Sequence, residues 1–398
     1  MNGSTLQRIW TSPQAISRGL SECWQTQQTP ERRNWLHARQ SIAIDFPVKS
    51  EGLHLDSEGH AHWGHMLNTH LYWNHRARRP AFSYLLMSRR RPAPTEGAWR
   101  LGMASAVMAG SGICVGTLPS APAGQTPEIW DEMVGGRDVD RPGWLGKPLG
   151  PVRRLAFETP DLIEGCGAPP SPPLVERCEL HNARATLEAG ALVLRGADDA
   201  VQSGIAGEDA SPDTENGEIV TRMRLRDAQP AGRDLVVAIR LRGQARRDCP
   251  PEADRLFFVT PTREGQRLLA NRNRWDVNAR RHGYFHAEAD FLNVFYFNDL
   301  PPGALDLDFE FEGGEAVWIE ELRLFAAPDA CCRVFENGLA LANPAMSPYK
   351  FDLAALAPGS SFRRIKGSRR QYPDVNSGEA LGEHVTLGPH DALFAIRG

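Results

Sequence analysis

The chain has 398 residues, of which 41% are hydrophobic, and its 45 lysines and arginines nearly balance 49 aspartates and glutamates. A formal net charge of −4 excludes the basic field of a nucleic-acid-binding protein, so no nucleic-acid partner is expected. No apolar run is long enough to cross a bilayer, and the first residues lack a signal peptide's apolar core, so neither a membrane span nor an export signal is predicted. Seven cysteines without a Cys-x-x-Cys pair argue against a disulfide framework.

The first zone, residues 1–160, alternates strand-like and helix-like stretches. Apolar residues at helical spacing predict helices at 65–78 and 97–110. Short apolar runs bounded by glycine, proline or charged residues predict buried strands at 41–46, 52–56, 81–86 and 112–116. Because alternating strands and helices are typical of parallel βα units, we expect a partial TIM-type (β/α) barrel here.

A linker rich in proline and glycine, 161–174, leads into a second zone, 175–330. Period-two alternation in this zone predicts a jelly-roll-like antiparallel β-sandwich. Its predicted strands are 191–196, 218–226, 234–243, 255–261, 291–297, 305–313 and 316–325. In strand 305–313 four acidic residues alternate with apolar ones, which predicts a solvated face rather than a calcium site; they are Asp306, Asp308, Glu310 and Glu312.

A third zone, 331–398, consists of short strand-like runs that end in Asn-Gly, Asn-Pro or Pro-Gly turns. This pattern predicts a small C-terminal β-sandwich module. The whole chain is therefore expected to be a multidomain protein of the α/β plus all-β class.

The third zone contains segments that resemble a known family. RVFENGLALANP (333–344), QYPDVNSGE (371–379) and VTLGPHDALFAIR (385–397) resemble the C-terminal β module of glycoside-hydrolase-like bacterial (β/α)8-barrel proteins. In the first zone, 99–116 and 129–152 resemble a helix, a strand and the outgoing turn of those barrels. VWIEELRLF, near the end of the second zone, resembles the last strand of galactose-binding-like jelly rolls, which are common in carbohydrate-binding modules.

The resemblance implies that the second zone is an accessory sandwich inserted or appended between the barrel and its C-terminal module. A complete barrel needs roughly 200–250 residues, whereas about 155 precede the linker. We therefore expect the C-terminal part of a barrel, with another chain as a candidate to complete or cover it. Members of such a family are secreted or envelope proteins, but the absence of a signal leaves the compartment of this chain open.

The stretch GLHLDSEGHAHWGH (52–65) follows a predicted barrel strand and is rich in acids and histidines. The carboxyl ends of barrel strands carry the chemistry, and glycoside cleavage needs two carboxyl groups on either side of the bond. Glu58 is the candidate acid/base, and Asp131 or Glu132 is the candidate second carboxylate. The alternative is that these acids are surface residues paired with arginines.

Tryptophans and tyrosines near these acids are candidates for contacts to sugar rings. The predicted substrate-binding residues are Asp56, His60, Trp63, Trp130, Trp144, Trp275 and Tyr284. Trp275 and Tyr284, with Phe285 and Tyr296, would form a stacking platform, although core packing is the alternative for such residues. The polar, aromatic-rich segment 272–286 is the candidate ligand loop.

His60 and His62 form a His-x-His pair, which raises the alternative of a zinc-dependent hydrolase. No later strand supplies an obvious further ligand and His-Glu-x-x-His is absent, so neither a metal nor a cofactor is predicted. The signatures of serine hydrolases, P-loops and dinucleotide-binding folds are absent as well.

The sequence therefore predicts hydrolysis of a glycosidic bond in a polysaccharide by a two-carboxylate mechanism. The alternative is a non-catalytic carbohydrate-binding or assembly protein built on a barrel remnant.

Overall fold

The structure is a computed structural model. It describes residues 48–49, 63–77, 82–86, 96–110, 112–116, 145–197, 219–230, 232–245, 254–268, 281–298, 300–366 and 373–398.

The described residues are mostly β-sheet, with few helices. In chain order the elements are β1 (Val48–Lys49), α1 (Trp63–Ala77), β2 (Phe82–Leu86), α2 (Glu96–Ala109), β3 (Gly112–Gly116), β4 (Arg153–Arg154), α3 (Pro172–Glu176), β5 (Cys178–His181), β6 (Ala183–Glu188), β7 (Ala191–Gly196), β8 (Ile219–Ala228), β9 (Leu235–Gly243), β10 (Arg255–Arg263), β11 (Gln266–Arg267), β12 (Arg281–Phe285), β13 (Phe291–Phe297), β14 (Leu305–Glu312), β15 (Val317–Phe325), β16 (Cys331–Val334), β17 (Gly338–Asn343), β18 (Tyr349–Asp352), α4 (Leu353–Leu356), β19 (Phe362–Arg364), β20 (His384–Leu387) and β21 (Asp391–Arg397).

A small parallel sheet, in the order β1-β2-β3, lies in the first zone. Both strand pairs are parallel, so the predicted parallel pairing is confirmed, and α1 and α2 lie within two residues of their predicted bounds. The described residues do not support a partial TIM barrel. In these parts of the chain no helix is long and apolar enough to cross a bilayer.

The helices α1 and α2 pack against β-sheets from the other two zones. Helix α1 contacts β12 and β13, and α2 contacts β17 and β21. In α2 the buried side chains include Leu101, Met103, Ala104 and Ala106, which point in different directions around the helix. A helix that is apolar around most of its circumference needs cover on several sides, which a single sheet does not provide.

The second zone folds into two packed antiparallel sheets, and this confirms the predicted sandwich. One sheet has the order β11-β10-β14-β8-β5, with β12 also paired to β10, and the other has the order β13-β9-β15-β7-β6. The alternating apolar residues of both sheets face inward and form one core, which includes Phe257, Phe295, Phe309 and Leu322. The jelly-roll description of this sandwich stays a prediction.

The acidic row on β14 is not the solvated face that its alternation predicted. Asp308 is 8% exposed, and the Nε of Arg224 donates to its Oδ1 at 2.6 Å. Glu310 accepts from Arg222 at 2.5 Å. Both arginines stand directly opposite on β8, where the strand register aligns each acid with a base. The alternation was correct, but a single strand does not reveal which charges its neighbour carries.

The C-terminal module has a five-stranded antiparallel sheet in the order β19-β21-β17-β16-β4, beside the pair β18-β20. The predicted β module is thus present. Its outermost strand, β4, comes from residues 153–154, across the boundary that we drew at 160. The nearby Leu155 N–H also donates to the Ala330 carbonyl at 2.8 Å. The boundaries themselves stay predictions.

A buried carboxylate joins helix α1, the sandwich and the C-terminal sheet. Asp329, between β15 and β16, is 0% exposed. The indole Nε1 of Trp63, at the start of α1, donates to Asp329 Oδ2 at 2.9 Å. Arg154 of β4 donates to the same oxygen. One side chain therefore ties α1, the end of the sandwich and the C-terminal sheet together.

We expect Asp329→Ala to lower the free energy of unfolding by about 3–5 kcal/mol, because it leaves the buried Arg154 charge without its partner. Trp63→Phe removes one hydrogen bond and should lower it by about 1–3 kcal/mol. Chemical denaturation measures both changes.

The matched control is Glu158→Ala, which breaks the neighbouring ion pair with Arg153, where the side chains are 59% and 43% exposed. An exposed pair contributes about 0–1 kcal/mol. Equal losses for Asp329→Ala and Glu158→Ala would contradict the role assigned to Asp329.

Candidate functional site

Most of the residues predicted to form the site lie outside the described residues. They are Asp56, Glu58, His60, His62, Trp130, Asp131, Glu132, Trp144 and Trp275. The two-carboxylate arrangement, the tryptophan subsites built on these positions and the His-x-His alternative therefore stay predictions.

The remaining predicted residues differ in their access to solvent. Trp63 is 1% exposed and bound to Asp329, so it packs in the core instead of presenting a ring to a ligand. Phe285 and Tyr296 are also buried, so these two residues follow the alternative of core packing. Tyr284 is half-buried and lies where α1 meets β12 and β13.

Aromatic and imidazole rings cluster around Tyr284. Tyr72 of α1 stacks on Tyr284 with ring centroids 5.3 Å apart, and Phe291 meets Tyr72 edge-on at 5.1 Å. The exposed His75 lies 5.2 Å from Phe291 and 5.9 Å from His286, measured between centroids. These rings form a partly open wall between the helix and the sandwich.

Charged side chains border this wall. The Nε of Arg76 donates to Asp254 Oδ1 at 2.9 Å, and its Nη1 donates to Glu288 Oε2 at 3.2 Å. The Tyr72 hydroxyl donates to the same Asp254 oxygen. Asp254 is buried, whereas the side chain of Glu288 is 55% exposed. We call this group the junction site and define it as Tyr72, His75, Arg76, Asp254, Tyr284, His286 and Glu288.

Helix α1 positions its half of the junction site by a simple repeat. Asn68, Tyr72 and Arg76 are spaced four residues apart and share one face of the helix. Asn68 anchors that face, since its Nδ2 donates to Asn293 Oδ1 at 3.0 Å and its Oδ1 accepts from the Val294 N–H at 2.9 Å. These two hydrogen bonds set the height and rotation of α1 against β13.

The environment shifts the titration of three groups in the junction site. Burial raises the pKa of Asp254, although Arg76 and the Tyr72 hydroxyl oppose the shift. Burial, together with Asp254, raises the pKa of Tyr72 well above its ordinary value. Burial, followed by the charges of Arg76 and His75, lowers the pKa of His286 to about 4. His286 is therefore neutral at pH 7.

The sequence indicates Tyr284 as a ligand contact but does not indicate its partners. Asp254 precedes a strand without any motif, and Arg76 and Glu288 resemble ordinary surface charges. The one available signal was the polar stripe Asn68-Tyr72-Arg76 on a predicted helix, because a buried helix face with polar groups needs polar partners. Among the described residues, no three His, Cys, Asp or Glu side chains are arranged to hold a metal ion.

No protein-family model matches the chain. No curated protein matches it. A solved structure described as "CBM4 structure and function" is 10% identical, with 36% of this chain and 77% of that one covered and a TM-score of 0.23. A xylan-binding domain from Paenibacillus barcinonensis is 10% identical, with coverages of 37% and 84% and a TM-score of 0.23. An agarase is 10% identical, with coverages of 38% and 24% and a TM-score of 0.26. Likeness of this degree carries no argument about function.

We expect the free energy of unfolding to decrease as the pH is lowered, because His286 titrates differently in the folded and unfolded chains. Its folded pKa of about 4 lies below the unfolded value of about 6.5, so the unfolded chain binds more protons between these limits. The contribution is complete above about pH 6.5 and is lost as the pH falls towards 4, at roughly 1.4 kcal/mol per pH unit at most. NMR titration of His286 and denaturation between pH 7 and 4.5 measure it.

His286→Phe should flatten this part of the pH dependence, whereas His384→Gln, at an exposed position in β20, should leave it unchanged. A His286 that titrates near pH 6.5 in the folded protein would refute the burial of its ring.

Proposed function

We propose that the chain binds carbohydrate at the junction site as a non-catalytic module. The observation that carries the proposal is the half-buried Tyr284, stacked on Tyr72 and bordered by charged and imidazole side chains. Sugars present an apolar face of C–H groups and a rim of hydroxyl groups, and sites for such ligands combine aromatic walls with a few convergent polar groups. The junction site has both features.

Two other surfaces of the sandwich support binding less well. The half-buried Trp318 on β15 has the guanidinium of Arg242 over its ring at 4.5 Å, and among the described residues no second aromatic ring stacks on it. On the outer face of the other sheet, Asp308 and Glu310 of β14 are buried and already paired with arginines. Neither surface brings two stacked aromatic rings together with several convergent polar groups, as the junction site does.

A two-carboxylate glycoside hydrolase is the second candidate function. It rests on the family resemblance; the parallel pairing of β1, β2 and β3 is shared by α/β folds in general and does not single out a barrel. In sequence Glu58 follows the predicted strand 52–56, and the carboxyl ends of barrel strands carry the catalytic groups. In this candidate Glu58 is the acid/base, and Asp131 or Glu132 is the second carboxylate.

We expect Tyr284→Ala to weaken binding of the full chain to its best glycan by at least about tenfold, since truncating a central aromatic contact commonly costs more than about 1.4 kcal/mol. A panel of soluble neutral and acidic polysaccharides, tested by affinity electrophoresis and then by calorimetry, identifies the glycan. Trp318→Ala is the matched control, because it removes a half-buried aromatic residue from another face. Absence of binding to every polysaccharide would refute the proposed function.

Hydrolysis is tested on the same panel by the release of reducing ends. If the second candidate is correct, Glu58→Gln abolishes that release and leaves binding at the junction site unchanged, because the carboxyl group supplies the proton to the leaving oxygen. Undiminished release by Glu58→Gln would exclude Glu58 from catalysis. Release of no products by the unmodified chain leaves carbohydrate binding as the function.

A further inference from the structure

Two buried polar atoms of the junction site lack hydrogen-bond partners. Within the described part of the chain, neither Asp254 Oδ2 nor His286 Nε2 has one. The two residues are only 7% and 3% exposed. A buried polar atom left unpaired costs about 1–3 kcal/mol, and its presence in a native site calls for a specific explanation such as a bound group.

The two atoms belong to neighbouring side chains on one face of a hairpin. Arg255 of β10 lies opposite Phe285 of β12, and Leu256 lies opposite Tyr284. Continuing this register by one residue sets Asp254 opposite His286. Side chains alternate along a strand, so His286, two residues after Tyr284, lies on the same face as Tyr284, and so does Asp254. Directly opposed residues have Cβ atoms about 4.5–5.5 Å apart. Both unpaired atoms therefore lie beside the Tyr72–Tyr284 stack.

The existing hydrogen bonds define what each atom can offer. The Glu288 N–H donates to His286 Nδ1 at 3.2 Å, so the neutral ring carries its proton on Nε2 and can donate there. Burial raises the pKa of Asp254, but Tyr72 and Arg76 both donate to its Oδ1 and favour the ionised carboxylate, in which Oδ2 is an acceptor. The pair thus consists of one donor and one acceptor.

A hydroxyl group satisfies both atoms at once. Its oxygen accepts from His286 Nε2–H while its proton is donated to Asp254 Oδ2. A ligand carboxylate or sulfate has no proton to donate to Oδ2, and an ammonium group has no lone pair to accept from Nε2–H. Among the described residues at this edge, Arg76 pairs with both Asp254 and Glu288, and Arg240 pairs with both Asp290 and Glu321. Four acids share two arginines, so net negative charge remains and disfavours an anionic ligand.

We infer that the junction site recognises neutral sugars, and that one sugar hydroxyl bridges His286 Nε2 and Asp254 Oδ2 while the ring packs on Tyr284. This inference rests on the proposed function, for which it names the ligand class and the innermost polar contact. Asp254 and His286 are then specificity-determining residues.

Ligand class is tested with the full chain at pH 7 by calorimetry. The probes are xylohexaose, cellohexaose and a neutral agar hexasaccharide, compared with hexagalacturonate. We expect at least one neutral oligosaccharide to bind at least tenfold more tightly than hexagalacturonate. Tighter binding of hexagalacturonate would overturn the inference and leave carbohydrate binding intact, whereas binding of no carbohydrate in this set or in the polysaccharide panel would refute the proposed function as well.

The bridging hydroxyl is tested with His286→Phe, which keeps an aromatic ring and removes the Nε2 donor. We expect about a tenfold loss of affinity, the equivalent of one hydrogen bond of about 1.4 kcal/mol. Asp254→Asn keeps the side-chain shape and replaces the carboxylate; if it fails to fold, His286→Phe carries the test alone. Thr260→Val is the matched control, because it removes from β10 a buried hydroxyl that also lacks a partner among the described residues, and it should leave affinity unchanged.

Monodeoxy analogues of the best-bound sugar separate a ligand contact from a structural role. The analogue that lacks the bridging hydroxyl should bind about tenfold more weakly to the unmodified protein and no more weakly to His286→Phe. If a buried water alone fills the gap, His286→Phe changes the unfolding midpoint but not the affinity, and every analogue loses equally in both proteins. That result would overturn the inference.

Discussion

The arrangement of the whole molecule depends on the buried carboxylate of Asp329. Apolar burial is non-directional, and the helices α1 and α2 have enough apolar surface to pack in several orientations. Asp329 accepts hydrogen bonds from Trp63 of α1 and from Arg154, whose strand β4 belongs to the C-terminal sheet. A buried charge tolerates few geometries, because any arrangement that leaves it unpaired costs several kcal/mol. It thereby selects one orientation among those that apolar packing allows.

The junction site follows from that orientation. With Trp63 held at its start, α1 lies along β13, and the Asn68–Asn293 hydrogen bond sets its rotation. Four residues further along, Tyr72 reaches Tyr284, and after four more Arg76 reaches Asp254. Of the polar contacts along this helix face, that of Asn68 positions the site, and those of Tyr72 and Arg76 belong to it. They hold aromatic rings against the sandwich and leave the edge at His75 and Glu288 open to solvent.

The chemistry of the site suits recognition better than catalysis. Asp254 is committed to Tyr72 and Arg76, and its burial raises its pKa. The adjacent His286 is kept neutral by burial and by the charge of Arg76. A neutral donor beside a fixed acceptor matches a hydroxyl group, which both donates and accepts. In the proposed complex, one neutral sugar contacts both this donor–acceptor pair and the stacked tyrosines.

The sequence by itself determined the local structure. Among the described residues, period-two alternation located seven of the eleven strands of the sandwich to within two residues and missed β5, β6, β11 and β12, whereas helical spacing located α1 and α2 within two residues. It also marked Tyr284 as a candidate ligand contact. Only the tertiary structure decided which faces are covered and which groups meet: it buried Trp63, paired the acids of β14 with arginines, and brought together Tyr72 and Asp254, which are 182 residues apart. Periodicity reports that a segment has two different faces. What lies against each face depends on contacts between distant segments, and no local pattern of the sequence encodes those contacts.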